Sequence, residues 1–191
     1  GQALGAITED THSYTTGSAS SATGLPLSLR ETPQSVTVIT RQQLDDQGST
    51  SIADALRRVP GISVQNYDSE RWEFSSRGLP ITNFQYDGVN TDYDGVYDYG
   101  TTSTDMATFD RVEIIKGATG LMTGSGDPSA TVNLIRKRPT QAFKASITGA
   151  VGSWDNIRST GDIAGPLTES GNVRGRFVGV YQDRSAYLDN Y

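Results

Sequence analysis

Phe109–Pro139, FDRVEIIKGATGLMTGSGDPSATVNLIRKRP, reads as strand, glycine-rich turn, strand. In Asp110–Lys116, Val112 and Ile114 share one face while Arg111 and Glu113 project from the other, the period-2 pattern of a half-buried strand. Gly117, Gly120, Gly124 and Gly126 crowd the turn, and Val132 and Leu134 resume the alternation before Arg136-Lys137-Arg138 and Pro139. A phosphate-cradling loop would place Gly-Lys-Ser/Thr at the start of a helix, but here Lys116 precedes the glycines and a strand follows. A dinucleotide fingerprint fails for the same lack of a helix. A purely structural hairpin stands as the alternative to a functional one.

Composition narrows the function classes. The chain has 191 residues and a formal net charge of −6, the wrong sign for a nucleic-acid partner. Cysteine is absent, so there is no thiolate metal site, and with His12 as the only histidine neither a His-based zinc site nor a Ser-His-Asp triad is expected inside the chain. No constellation supplies both nucleophile and base, so an enzyme is not expected. There is no apolar run of about 18 residues to form a membrane helix, which leaves a β-barrel open. No secretory leader is visible, so an exported protein would be present in mature or excised form.

Residues 1–30 are rich in Ser, Thr, Gly and Ala and are expected to form a flexible arm. Residues 31–139 read as one compact α+β domain with a small mixed sheet and two short helices. Ser35–Thr40 alternates as a strand; Thr40 caps a helix over Arg41–Gln47 that Gly48 ends. Ser49 to Ser51 offer caps for a second helix whose Ile52, Ala55, Leu56 and Val59 form one apolar face, stopped by Pro60-Gly61. Ile62–Val64, Glu73–Gly78 and Asn83–Tyr86 read as strands, and Asp87-Gly88 as a tight turn. Asn90–Thr104 is a polar, tyrosine-rich loop too long for a simple connection.

The pattern changes over residues 140–191. Lys144–Val151, Ile157–Ala164 and Val173–Asp183 alternate, with one apolar and one mixed face, over lengths of about ten residues that suit a transmembrane barrel. Three strands cannot close a barrel, and lipid does not tolerate open edges, so the chain is expected to be a fragment. A soluble antiparallel meander with one wet face is the competing interpretation.

These segments together resemble the plug domain and first barrel strands of TonB-dependent outer-membrane receptors. RVEIIKGATGLMTGSGDPSATVNLIRKRP resembles the end of the plug, ETPQSVTVIT its opening strand, and IADALRRVPGISV its second helix and following strand. SSRGLPITNFQYDGV is similar to the family's arginine-glycine-aromatic segment, with Leu79 where Phe is commoner, and GSWDNIRSTGDIAGPLTESGNVRGRFVGVYQD to the first barrel strands. The wording of NFQYDGV and DMATFDRVEIIKGATGLMTG is most similar to receptors for ferric pyoverdine, pseudobactin and coprogen-type siderophores. The resemblance implies a gate in the outer membrane of a Gram-negative bacterium that binds a ferric siderophore of pyoverdine-like type and passes it inward with the TonB protein. An outer-membrane sensing or signalling receptor without transport is the alternative. Leu4–Thr8 is not a clear TonB box, which would lie near or before Gly1, and the signalling domain that often precedes such plugs is not seen.

A ferric siderophore brings its own iron ligands, so the resemblance implies no cofactor and no metal-binding residue. It implies instead an aromatic pocket with a few directed donors. Arg77 is the candidate donor to chelate oxygens, its alternative being an ion pair with Glu73 or Asp87. Trp72, Tyr93, Tyr97 and Tyr99 are candidate contact surfaces, with Tyr97 preferred for its spacing before Asp105-Met106. Asp92, Asp94 and Asp98 fail an EF-hand test, since the sixth and twelfth positions are Tyr97 and Ser103, leaving only a looser calcium site. Arg111, Glu113, Arg136 and Arg138 are expected to contact the barrel wall; a solvated strand face is the alternative.

Overall fold

The structure, a computed structural model, describes residues 7–19, 27–28, 35–67, 71–92, 104–117, 128–153 and 155–185. The chain divides into two units, Gly1–Lys137 and Arg138–Tyr191.

The first unit begins with a short antiparallel pair, β1 (Ser18–Ala19) and β2 (Leu27–Ser28). Strand β3 (Ser35–Ile39) leads into α1 (Arg41–Asp46), whose cap is Thr40: its side chain accepts from the Gln43 amide. Helix α2 (Ile52–Arg57) opens with a capping box in which Ser51 Oγ accepts from Asp54 N and the Asp54 carboxylate accepts from Ser51 N. Both helices are under two turns long, too short to persist on propensity alone. Burial holds them: Leu44, Ile52, Ala55, Leu56 and Val59 share one apolar cluster with Val112, Ile114, Val132 and Leu134.

Strands β4 (Ile62–Asn66), β5 (Trp72–Ser76) and β6 (Leu79–Pro80) form an antiparallel three-stranded sheet. Strands β7 (Asn83–Tyr86) and β8 (Val89–Asp92) make a hairpin. A 3-10 turn at Met106–Thr108 introduces β9 (Phe109–Lys116), which pairs antiparallel with β10 (Ala130–Arg136). The sheet order is β3-β9-β10-β7-β8, antiparallel except for β10 beside β7. This is the small mixed sheet with two short helices that the pattern implies.

Three expectations are corrected here. Strand β9 is not half-buried: it lies between β3 and β10, and Phe109–Ile115 are buried throughout. Glu73–Gly78 does not run straight; the strand stops at Ser76 and Arg77-Gly78 turn the chain into β6. The arm is not loose where it is described, because Thr8 is buried and its backbone is bonded to Asp110. The Ser/Thr composition that argued against apolar burial is well suited to hydrogen bonding instead.

In the second unit β11 (Lys144–Val151), β12 (Ile157–Pro166) and β13 (Arg174–Asp183) form one antiparallel sheet. Register places Ile147 opposite Gly161 and Ile163 opposite Phe177, so one face carries Ile147, Val151, Ile157, Ile163, Phe177 and Tyr181, all exposed. The other face carries Thr148, Arg158, Thr160, Asp162 and Arg176. There Asp162 and Arg176 form a two-pronged ion pair at 2.8 and 2.5 Å, both side chains largely buried. A mainly apolar side thus alternates with a mixed side over strands of eight to ten residues, the lipid-side and lumen-side pattern of a barrel wall. No helix among the described residues is long and apolar enough to cross a membrane.

Candidate functional site

The β5–β6 connection is a two-residue turn with Arg77 at φ 56° and Gly78 at φ 80°. Positive φ at both central positions matches the twist of a tight hairpin. Glycine adopts it freely, whereas arginine carries a steric cost. Arg77 is exposed and has no hydrogen-bond or ion-pair partner among the described residues. Both alternative partners are committed elsewhere. Glu73 accepts a short hydrogen bond from the Tyr67 hydroxyl, which holds that phenol above its ordinary range. Asp87 is held by Arg136. The fork of Arg77 is therefore presented to solvent on a stiff turn.

Trp72 is not brought beside it. The indole sits at the far end of β5, paired with Asn66 on β4 and half-buried against the core, with the Arg57 guanidinium 4.4 Å above its ring centre. Five residues of strand separate the two side chains, about 16 Å of rise. The cation–π stack with α2 accounts for Trp72 as a packing residue. Tyr93, Tyr97, Tyr99, Asp94 and Asp98 lie outside the described residues, as do Gly120, Gly124 and Gly126. No group of three or more metal-ligating side chains occurs among the described residues.

The four charged residues assigned to the wall divide in two. Arg111 and Glu113 are 1% and 0% exposed and pair with each other, Nε donating to Oε1 at 2.7 Å, while Arg111 Nη1 donates to Asp110 Oδ2 at 2.9 Å. They are interior groups of the first unit, a correction to their expected role. Arg111 Nη2 is buried with no acceptor among the described residues. Arg136 and Arg138 are exposed. The Arg138 carbonyl accepts from Arg176 Nη1 at 2.9 Å.

Two long-range ties, one from a turn that was itself expected, were not legible in the sequence. Asp87, at φ 51°, turns β7 into β8 together with Gly88 at φ 83°, and Gly88 N donates to the Asn133 side chain at 3.0 Å. The turn motif is thereby fastened to β10. Asp110 accepts from Thr8 N at 3.1 Å and Glu9 N at 2.8 Å, tying together residues 102 positions apart.

A mixed sheet with two short helices in one unit and a meander with a barrel-wall pattern in the other define a class, and the profile of the TonB-dependent Receptor Plug Domain matches residues 28–131. The chain belongs to that family. It is 55% identical over 189 residues to the ferripyoverdine receptor of Pseudomonas aeruginosa, covering 98% of this chain and 23% of the receptor. The pyoverdine outer membrane receptor FpvA from Pseudomonas aeruginosa PAO1, solved bound to pyoverdine, superposes with a TM-score of 0.91 at 54% identity, over 96% of this chain and 27% of that one. The alcaligin outer membrane receptor FauA from Bordetella pertussis superposes with a TM-score of 0.88 at 52% identity, over 95% of this chain and 32% of that one. The chain spans about a quarter of the length of these relatives.

Proposed function

We propose that this chain is the plug and opening wall strands of a receptor in the outer membrane of a Gram-negative bacterium. The receptor binds a ferric siderophore of pyoverdine type and imports it with the TonB protein. The observation that carries this is the 55% identity to a ferripyoverdine receptor across nearly the whole chain. The exposed Arg77, without a partner among the described residues, supplies from its tight turn a donor suited to a chelate's oxygens. Tyr93, Tyr97 and Tyr99 are proposed to add aromatic surface around it. Arg136 and Arg138 are proposed to meet the wall of the complete barrel.

The protein adds no ligand to the iron and performs no catalysis in this reading. Recognition acts on the outer surface of the intact chelate. Pyoverdine is preferred over other siderophores on the first relative's name alone, because similarity to an alcaligin receptor is almost as high. Nothing in the relatives favours a sensing receptor without transport. Titration of the complete receptor with ferric pyoverdine and ferric alcaligin tests the reading. Submicromolar binding of the first and not the second is expected; binding of neither would overturn it.

A further inference from the structure

The sequence holds two Asp-Gly pairs, Asp87-Gly88 and Asp94-Gly95, and the first lies among the described residues. Asp-Gly is the aspartyl link most prone to rearrange. With no side chain on the following residue, its amide nitrogen can close on the aspartate's own Cγ. The β7–β8 turn needs this pair for its backbone shape, with φ 51° at Asp87 and 83° at Gly88, and so carries a labile link at its apex.

Strand β10 holds both reacting groups. Gly88 N, the nucleophile, donates to Asn133 Oδ1 at 3.0 Å, and Asn133 is 1% exposed. The Asp87 carboxyl, the electrophile, is held at both oxygens by Arg136: Oδ1 accepts from the backbone N–H at 2.9 Å and Oδ2 from Nε at 2.5 Å. Asp87 N itself donates to the Leu134 carbonyl at 3.0 Å, which fixes the turn backbone to the same strand. Ring closure requires Gly88 N to give up its acceptor while the carboxyl leaves Arg136 and rotates over that nitrogen. The two restraints must fail together.

We propose that Asp87-Gly88 is a guarded isomerisation site, with Asn133 restraining the nucleophile and Arg136 the electrophile. When the guard opens, Gly88 N bonds to Asp87 Cγ and the carboxyl C–O bond breaks. The hydroxyl leaves with the amide proton as water, giving a cyclic imide. Water then adds back at one of the two imide carbonyls. Opening at the former main-chain carbonyl routes the chain through the side chain, an isoaspartyl link with one extra backbone methylene and unchanged mass. The carboxylate no longer stands where the end of β10 needs it, and Arg136 loses its partner. The damage falls on the strand that guarded against it.

Ageing of the full chain in detergent at neutral pH, followed by peptide mapping, tests this. Cleavage after Tyr93 separates the two Asp-Gly pairs, and electron-transfer fragmentation tells isoaspartyl from aspartyl at residue 87. The native chain should isomerise there at least about tenfold more slowly than the same chain in urea. Asn133→Ala should raise the native rate by about tenfold, the worth of one buried hydrogen bond. Arg136→Gln should raise it by about two- to threefold, since that side-chain arm is exposed. Ser51→Ala, which weakens the fold through the α2 cap and leaves the turn alone, should not raise it. Equal rates in the native and urea-unfolded chains would overturn the proposal, as would a Ser51→Ala chain that isomerises as fast as the two guard variants. If Asn133→Ala does not fold, Arg136→Gln decides alone, and an unchanged rate there refutes the guard.

Discussion

Asp87 binds Arg136 at two points, accepting the backbone N–H at 2.9 Å and the guanidinium Nε at 2.5 Å. One carboxylate in a left-handed turn thereby closes both the end of β10 and the β7–β8 hairpin. Asp87→Ala should destabilise the fold by about 1–2 kcal/mol, through the lost backbone acceptor and the poorer fit of alanine to positive φ. Asp87→Asn should cost less than half of that, since asparagine tolerates the same φ and keeps an acceptor. Urea unfolding of the three proteins, compared at equal slope, decides it.

Arg77 allows binding and folding to be separated. Arg77→Gly should stabilise the chain by up to about 1 kcal/mol by relieving the left-handed strain, yet weaken the ferric siderophore by about 1–3 kcal/mol through loss of a charged donor. Arg77→Ala should weaken the ligand equally without the gain in stability. Melting curves beside ligand titrations of the complete receptor would reveal the opposite signs. Unaltered affinity in both variants would move recognition to other surfaces.

Titration of Tyr14 and Asp46 gives a pH window. The hydrogen bond to Asp46 raises the Tyr14 phenol above its ordinary 10.0. The Gln42 amide first, then Tyr14, lowers the Asp46 carboxyl below its ordinary 3.8. A raised phenol favours the folded contact below its unfolded value and loses that contribution as pH climbs through the folded one. A lowered carboxyl contributes above its unfolded value and fails as pH falls through the folded one. The contact should therefore hold from weakly acidic to weakly alkaline solution and weaken at both extremes. Ultraviolet titration of the phenolate, with Tyr14→Phe as reference, should find a Tyr14 transition later than that of an unstructured tyrosine.

The two faces of the second unit should respond unequally to charge. Phe177→Arg on the exposed apolar side should impair assembly of the complete barrel into bilayers by about 2–4 kcal/mol. Thr160→Arg, on the opposite side beside Arg158 and Asp162, should cost far less. Folding yields into vesicles measure both, and equal penalties would contradict the orientation.

Local chemistry announced much of this fold. The Thr40 and Ser51 caps each satisfy a backbone amide three residues on, so their sequence spelling suffices, and Asp87-Gly88 spells its own turn although its side-chain partners lie on β10. The interior position of Arg111 and Glu113 had no such spelling. Alternating charge on a strand normally marks a wet side, and here the charges cancel by pairing with each other and with Asp110. Asp110 in turn is satisfied by amides about a hundred positions away. Arg77 was singled out by its motif, whereas the turn that carries it read as the end of a strand. The stacking of Trp72 under Arg57 had no signal either, because an aromatic side chain on a short strand reads alike whether it meets a ligand or a helix.

The span of the β3–β9 contacts, and of those that tie residues 7–15 as a strap to Asp110, dictates an order of assembly. The β5–β6 and β7–β8 hairpins close short loops and can form without help. Strand β3 must wait until β9 exists, since Ser35 finds its partner only at Lys116. The strap waits longest, because its receiver, Asp110, is presented only on the completed sheet. What arrives last with few apolar contacts is also the first to depart under load. A mechanical pull on the N-terminus should peel this chain in reverse, giving up the strap at low force and meeting real resistance only at β3.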